Sequence, residues 1–140
     1  MNKLITILSL SLSLSLSLFA FTKAYALDLP EGWSEVKTDK PQTIMYSNQA
    51  KNYGVVITAN EKQGVELEKI AQEISNKYKC MDFSKEEDGS YTFLCMMENN
   101  FVANIVADGP EQDQFTLIII TSPDDVGLTQ GAQIVGNLAK

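Results

Sequence analysis

The chain has 140 residues, with 11 lysines, no arginine, no histidine, 18 carboxylates, two cysteines and a net charge of −7. This set cannot build a histidine general base, a Ser/His/Asp or Cys/His nucleophile, a His-ligated metal or a bidentate arginine clamp on phosphate. Nucleic acid and anionic membrane surfaces would repel it, because lysine and arginine supply most of the affinity for phosphate backbones.

Residues 1–26 read as a cleavable export signal. Met1-Asn2-Lys3 is the positive start, Leu4 to Phe21 the apolar stretch, and Ala24-Tyr25-Ala26 a small-x-small cleavage site. Serine at every second position from Ser9 to Ser17 lowers the stretch below the hydrophobicity of a stable anchor. No cysteine stands at the cleavage site to take a lipid. The expectation is a periplasmic or secreted protein with no membrane insertion after signal removal. Residues 27–140 then form a single domain, a length that fits one core. Lys3 and Lys23 leave with the signal, so nine lysines face all 18 carboxylates and the net charge becomes −9.

In chain order, Leu29-Pro30-Glu31-Gly32-Trp33 bends the backbone before the only tryptophan, which we expect to plug one end of the core. Short strands follow at Trp33–Lys37, Thr43–Ser47 and Tyr53–Asn60, the last two joined by the polar residues 48–52. Leu67, Ile70, Ala71, Ile74 and Tyr78 fall on one stripe of a helix whose other face is charged. The period then returns to two. Cys80 and Cys95 flank the turn signal Glu86-Glu87-Asp88-Gly89; if those four residues form the loop, Lys85 pairs with Ser90 and Cys80 stands opposite Cys95. In an oxidising compartment such a pair is a structural disulfide. A redox pair or a metal site would call for C-x-x-C spacing or histidine, and neither is present.

Asn99-Asn100 can turn the chain through positive φ into a strand at Phe101–Ala107. Of Met96 and Met97, which must point to opposite faces, one is expected in the core. Phe115–Thr121 is apolar on both sides, as for a central strand covered on both faces. Ser122-Pro123-Asp124-Asp125 starts a second helix, with Ser122 as N-cap and Pro123 first in the helix. Leu128, Ala132, Val135 and Ala139 form its apolar stripe, diluted by Gly127, Gly131 and Gly136. The reading is an α+β fold: a largely antiparallel sheet of six to seven strands with two helices, in the order βββ-α-ββββ-α. With only two helices, a second copy of the chain is one way to cover the doubly apolar strand, so both monomer and homodimer satisfy the pattern.

This order of elements, with the Pro-x-Gly-Trp opening at Pro30, Gly32 and Trp33, resembles the PsbP/DcrB-like group of small domains. The resemblance implies an antiparallel sheet flanked by helices and a non-catalytic assembly or adaptor role in the envelope. It carries over no functional residue, and the disulfide and the missing lipid-attachment cysteine depart from the group.

Hairpin loops of a meander alternate between the two ends of the sheet. Loops 86–89 and 108–113 therefore share an end, gathering Glu86, Glu87, Asp88, Asp108, Glu111 and Asp113, with Lys85 the only nearby cation in sequence. Glu61, Glu66 and Glu68 point the same way. Such a surface suits docking of a basic protein partner. Calcium would suit clustered carboxylates, but the twelve-residue EF-hand spacing is missing. A carboxylate-pair glycosidase needs a cleft and an aromatic platform for which only Trp33 is available. The expectation is a protein-binding module with no cofactor and no resident metal, most concretely an inhibitor or immunity-type protein against a basic cell-wall hydrolase or toxin.

Overall fold

The computed structural model describes residues 28–138. Residues 1–26, read above as an export signal, and Ala139 of the second helix's stripe lie outside the described residues. The period-two segments form β1 (Ser34–Val36), β2 (Thr43–Asn48), β3 (Tyr53–Glu61), β4 (Met81–Lys85), β5 (Tyr91–Met97), β6 (Asn100–Asp108) and β7 (Gln114–Ser122). The two helices among the described residues are α1 (Leu67–Lys77) and α2 (Asp125–Leu138). All strand pairs are antiparallel, in one seven-stranded sheet ordered β1-β2-β3-β7-β6-β5-β4. This is the α+β architecture expected from the order of elements.

Register assigns each side chain to a face, since opposed residues share a face and neighbours along a strand alternate. The row Val55, Ile120, Ala103 and Leu94 lies on the first face. The row Val56, Ile119, Asn104 and Phe93 lies on the second. Helix α2 packs across β3 and β7 on the first face, and α1 packs across β5 and β6 on the second. The helices thus sit diagonally, and β7 is sealed on one side only: Ile118 and Ile120 are fully buried, while Phe115, Leu117 and Ile119 are half-buried. The expectation that both faces of this strand are covered needs this correction. Helix α1 is set two strands away because its short return to β4, the far edge, keeps it over β5.

The first face has the larger core, from Trp33, Tyr46 and Val55 through Ile105 and Ile118 to Ile134. Trp33 is buried as expected and donates its indole N–H to Gln130 Oε1 at 2.7 Å. Its entry is a type II turn, with Trp33 N–H bonded to the Pro30 carbonyl at 3.1 Å and Gly32 at φ 88°. Gly127 and Gly131 do more than dilute the α2 stripe. They face the sheet, and a Cβ on Gly131 would lie 2.5 Å from Ile120 Cγ2, while one on Gly127 would meet Ser122 and the Tyr53 ring. The glycines set how closely α2 approaches the sheet.

Ser122 is the last residue of β7 rather than the N-cap of α2. Its Oγ accepts the Asp124 N–H at 3.0 Å, and Asp124 caps the helix by accepting the Gly127 N–H at 3.0 Å. Tyr53 Oη also donates to Asp124 Oδ2, at 3.1 Å. The Gly127 N–H foremost, with Tyr53 and Ser122, holds the Asp124 carboxyl below the usual carboxylate range. Burial and the Asp124 charge push Tyr53 above the usual phenol range. A depressed carboxyl contributes stability above its unfolded value, about 3.9, and loses it as pH falls through the lower folded value. Asp124→Asn keeps a capping side chain, so it should flatten this acid-side loss while retaining most of the stability at pH 7. Urea midpoints from pH 6 to pH 2 will show it.

Helix α1 ends in a Schellman motif: Cys80 N–H bonds to the Ser75 carbonyl at 2.8 Å and Lys79 N–H to that of Asn76 at 3.3 Å, with Lys79 at φ 54°. This turn delivers Cys80 directly to the β4 edge, where it is disulfide-bonded to Cys95. The hairpin register differs from the count made on sequence. Lys85 pairs with Tyr91, because Glu86 N–H reaches across to the Ser90 carbonyl at 2.8 Å and lengthens the loop by one residue. The slip would move Cys80 to the wrong face. A β-bulge restores it: Asp82 and Phe83 together oppose Phe93, with Asp82 at φ 58°, and Met81 pairs with Leu94. The bulge lets Cys80 and Phe83 use the same face despite their odd separation, and Phe83 stacks on Phe93 at 5.9 Å.

Candidate functional site

Antiparallel connectivity brings three segments to one end of the sheet: the β4–β5 loop, the β6–β7 loop and the β3–α1 connection. Strands β5 and β6 separate the first two loops by two strand spacings, about 10 Å. Glu61 pairs with Gln114 at the end of β3, and Lys62 N–H donates to the Asp113 carbonyl at 2.7 Å, binding that connection to the β6–β7 loop. Glu66 stands at the N-cap of α1, and Glu68 in its first turn.

The six loop carboxylates are not equivalent. Asp88 accepts both the N–H and the hydroxyl of Ser90, at 2.9 and 2.6 Å, and so shapes its own turn. Glu86 accepts the Thr92 hydroxyl at 2.8 Å. Asp108 pairs with Lys62 Nζ at 2.9 Å. Lys62, which sequence order places a whole helix away from the loops, therefore joins Lys85, the last residue of β4, as a cation at this end. Glu87, Glu111 and Asp113 are exposed and make no side-chain hydrogen bond or ion pair among the described residues. Beneath them Gln114 is buried; its Nε2 donates to Glu61 Oε1 at 3.0 Å, while its Oε1 is sealed without a partner. No group of three or more carboxylates among the described residues is placed to hold one metal ion. This end presents a distributed negative field rather than a coordination shell.

A second feature was not legible in the sequence. A groove of about 650 Å³ opens on the second face between α1 and β7. Ile74 and Lys77 of α1 and its C-cap Tyr78 form one wall, with Leu117 and Ile119 opposite; Val102 and Asn104 also line it. The β5–β6 hairpin closes one end with Met97, Glu98 and Asn100. That hairpin turns on Glu98 at φ 56° and Asn99, not on Asn99-Asn100, and Asn100 is already the first residue of β6. Both methionines expected to divide between core and surface are exposed, Met96 at 49% and Met97 at 43%. At this end of β5 neither face is fully covered. Tyr78, counted on sequence in the α1 stripe, is the C-cap residue and is 43% exposed at the groove.

No family model matches this chain, and no curated protein is significantly similar to it. Its disulfide is compatible with an exported protein, and no helix among the described residues is long and apolar enough to cross a membrane.

Proposed function

We propose that this protein acts by binding, as an exported, non-catalytic module that occludes a basic protein partner through the acidic end of its sheet. The most concrete form is an inhibitor or immunity-type protein directed at a cationic cell-wall hydrolase or toxin. The observation that carries the reading is the convergence of three loop segments at one sheet end, where the exposed side chains of Glu87, Glu111 and Asp113 bond to no other side chain or backbone group among the described residues. A rigid base supports them, since Asp88 and Glu86 are engaged in holding the β4–β5 turn. Charges so placed accelerate encounter with a basic surface and discriminate against acidic ones. A second reading, an envelope assembly or adaptor factor of the PsbP/DcrB-like type, is favoured by the order of elements.

The triple variant Glu87→Lys, Glu111→Lys, Asp113→Lys removes no side-chain bond within the fold. Its association rate with a panel of cationic wall hydrolases should fall by roughly tenfold or more at low salt, with a smaller change in dissociation. Surface plasmon resonance at two ionic strengths reads this directly. Unaltered association at low salt discards the acidic end as the docking surface.

A further inference from the structure

We propose that the groove between α1 and β7 is a binding site for an uncharged amphiphile: a single hydrocarbon chain carrying one hydroxyl or amide N–H. Its volume, about 650 Å³, falls in the range of small-molecule pockets, roughly 300–1,000 Å³. Ile74, Val102, Leu117 and Ile119 give it an apolar lining suited to methylene groups. Met97 and Tyr78 supply an adaptable thioether and a ring with a polar tip.

The specific element is Asn104. It sits in the middle of the second face between Phe93 and Ile119, only 5% exposed, where an apolar residue would pack without difficulty. Its Nδ2 is committed, donating to the Val102 carbonyl at 3.1 Å and reaching Cys95 Sγ at 3.4 Å. That commitment fixes the orientation of the amide and leaves Oδ1 as an acceptor with no donor among the described residues. Oδ1 is not sealed and opens toward the groove, so a ligand that brings a donor to this position gains a hydrogen bond that one without a donor does not. An ionised carboxylate or phosphate has no proton to give. An ammonium would be stripped of water with no carboxylate beside it on the floor. Lys77 and Glu98, the charged residues of the lining, cancel each other and select for neither sign. A neutral donor on an apolar chain meets all these conditions. This site is separate from the acidic end and does not depend on the reading given to it.

The probes are 1-decanol and decanoate, which share a chain length and differ in the polar group, titrated calorimetrically below their aggregation limits. We expect 1-decanol to bind one per chain and decanoate to bind at least roughly tenfold more weakly, the factor one hydrogen bond confers. Asn104→Leu should erase that preference. Ile119→Trp, at a half-buried position on the open face, should fill the groove and abolish binding while leaving thermal unfolding in place. The proposal is overturned if 1-decanol does not bind, if decanoate binds as well, or if binding survives Ile119→Trp. Sedimentation of the unliganded protein is the remaining arm. A dimer that Ile119→Trp dissolves assigns the groove to a second copy of the chain and also overturns it.

Discussion

Replacing Cys80 and Cys95 together by serine is expected to lower the unfolding free energy by about 3 kcal/mol. The bond closes a loop of sequence separation 15, and the chain-entropy model assigns that size to such a closure. The structure adds a reason why the loss will be uneven. Strand β4 is an edge strand with all five residues exposed, attached to the sheet through β5 alone. Its anchors are the disulfide at one end and the Phe83 ring against Tyr91 and Phe93 near the other. Without the disulfide, hydrogen exchange should accelerate first in β4 and in the last turn of α1, which the Schellman turn joins to Cys80. Urea denaturation with and without reductant gives the global figure. Equal midpoints in the two conditions would show that the bond constrains nothing the fold does not already hold. A domain of this size is stable by about 5–15 kcal/mol, so the expected loss is a large share of the whole.

Gly131→Val is expected to cost about 3 kcal/mol, through overpacking. The first atom added would stand 2.5 Å from Ile120 Cγ2 and 3.2 Å from Val55 Cγ2, both in the centre of the sheet and fully buried. Neither can yield, because Val55 and Ile120 are paired across β3 and β7 and packed under α2. The helix must lift instead, and Leu128, Ala132 and Val135 lift with it. Intrinsic propensity pulls the other way, since glycine is the poorer helix former by up to about 1 kcal/mol, but that gain is the smaller term. Gln133→Val, on the exposed side of the same helix, separates the two effects and should change stability by less than about 0.5 kcal/mol. Thermal and urea unfolding of the pair make the measurement. Equal effects at the two positions would show that the glycine is not a contact point.

The strands were legible because their signal is local. Alternation in Tyr53–Glu61, the stripe from Leu67 to Ile74 and the hairpin around Gly89 each depend on residues a few positions apart. The cysteine pairing was legible for the same reason, and it survived an error. Counting placed Lys85 opposite Ser90, the structure placed it opposite Tyr91, and the bulge at Asp82-Phe83 cancelled the slip. The signal for the bulge is a single residue: Asp82, of a type disfavoured in strands and tolerant of positive φ, does not by itself fix a bulge. The start of α2 was misplaced by two residues because Ser122 and Asp124 are both good caps, and only the hydrogen-bond pattern chooses between them.

The candidate site divides in the same way. That loops 86–89 and 108–113 share an end follows from meander connectivity, which can be read from strand order. Which carboxylates are engaged cannot, because Glu86, Asp88 and Asp108 find their partners through side-chain geometry. Lys62 joins the cluster only because β3 pairs with β7, a contact between segments some fifty residues apart.

The opening composition determined by itself what this protein lacks: histidine and arginine are absent whatever the fold, and so are the chemistries that need them. Local periodicity determined the elements and the disulfide partners. Where the helices lie on the sheet was decided only in three dimensions, by the close approach that Gly127 and Gly131 permit and by the edge position of β4, which holds α1 over β5. That diagonal placement leaves one face of β7 open and Asn104 beneath the groove. Residues from α1, β6 and β7 line that groove together, and no pattern along a single segment encodes contacts among three.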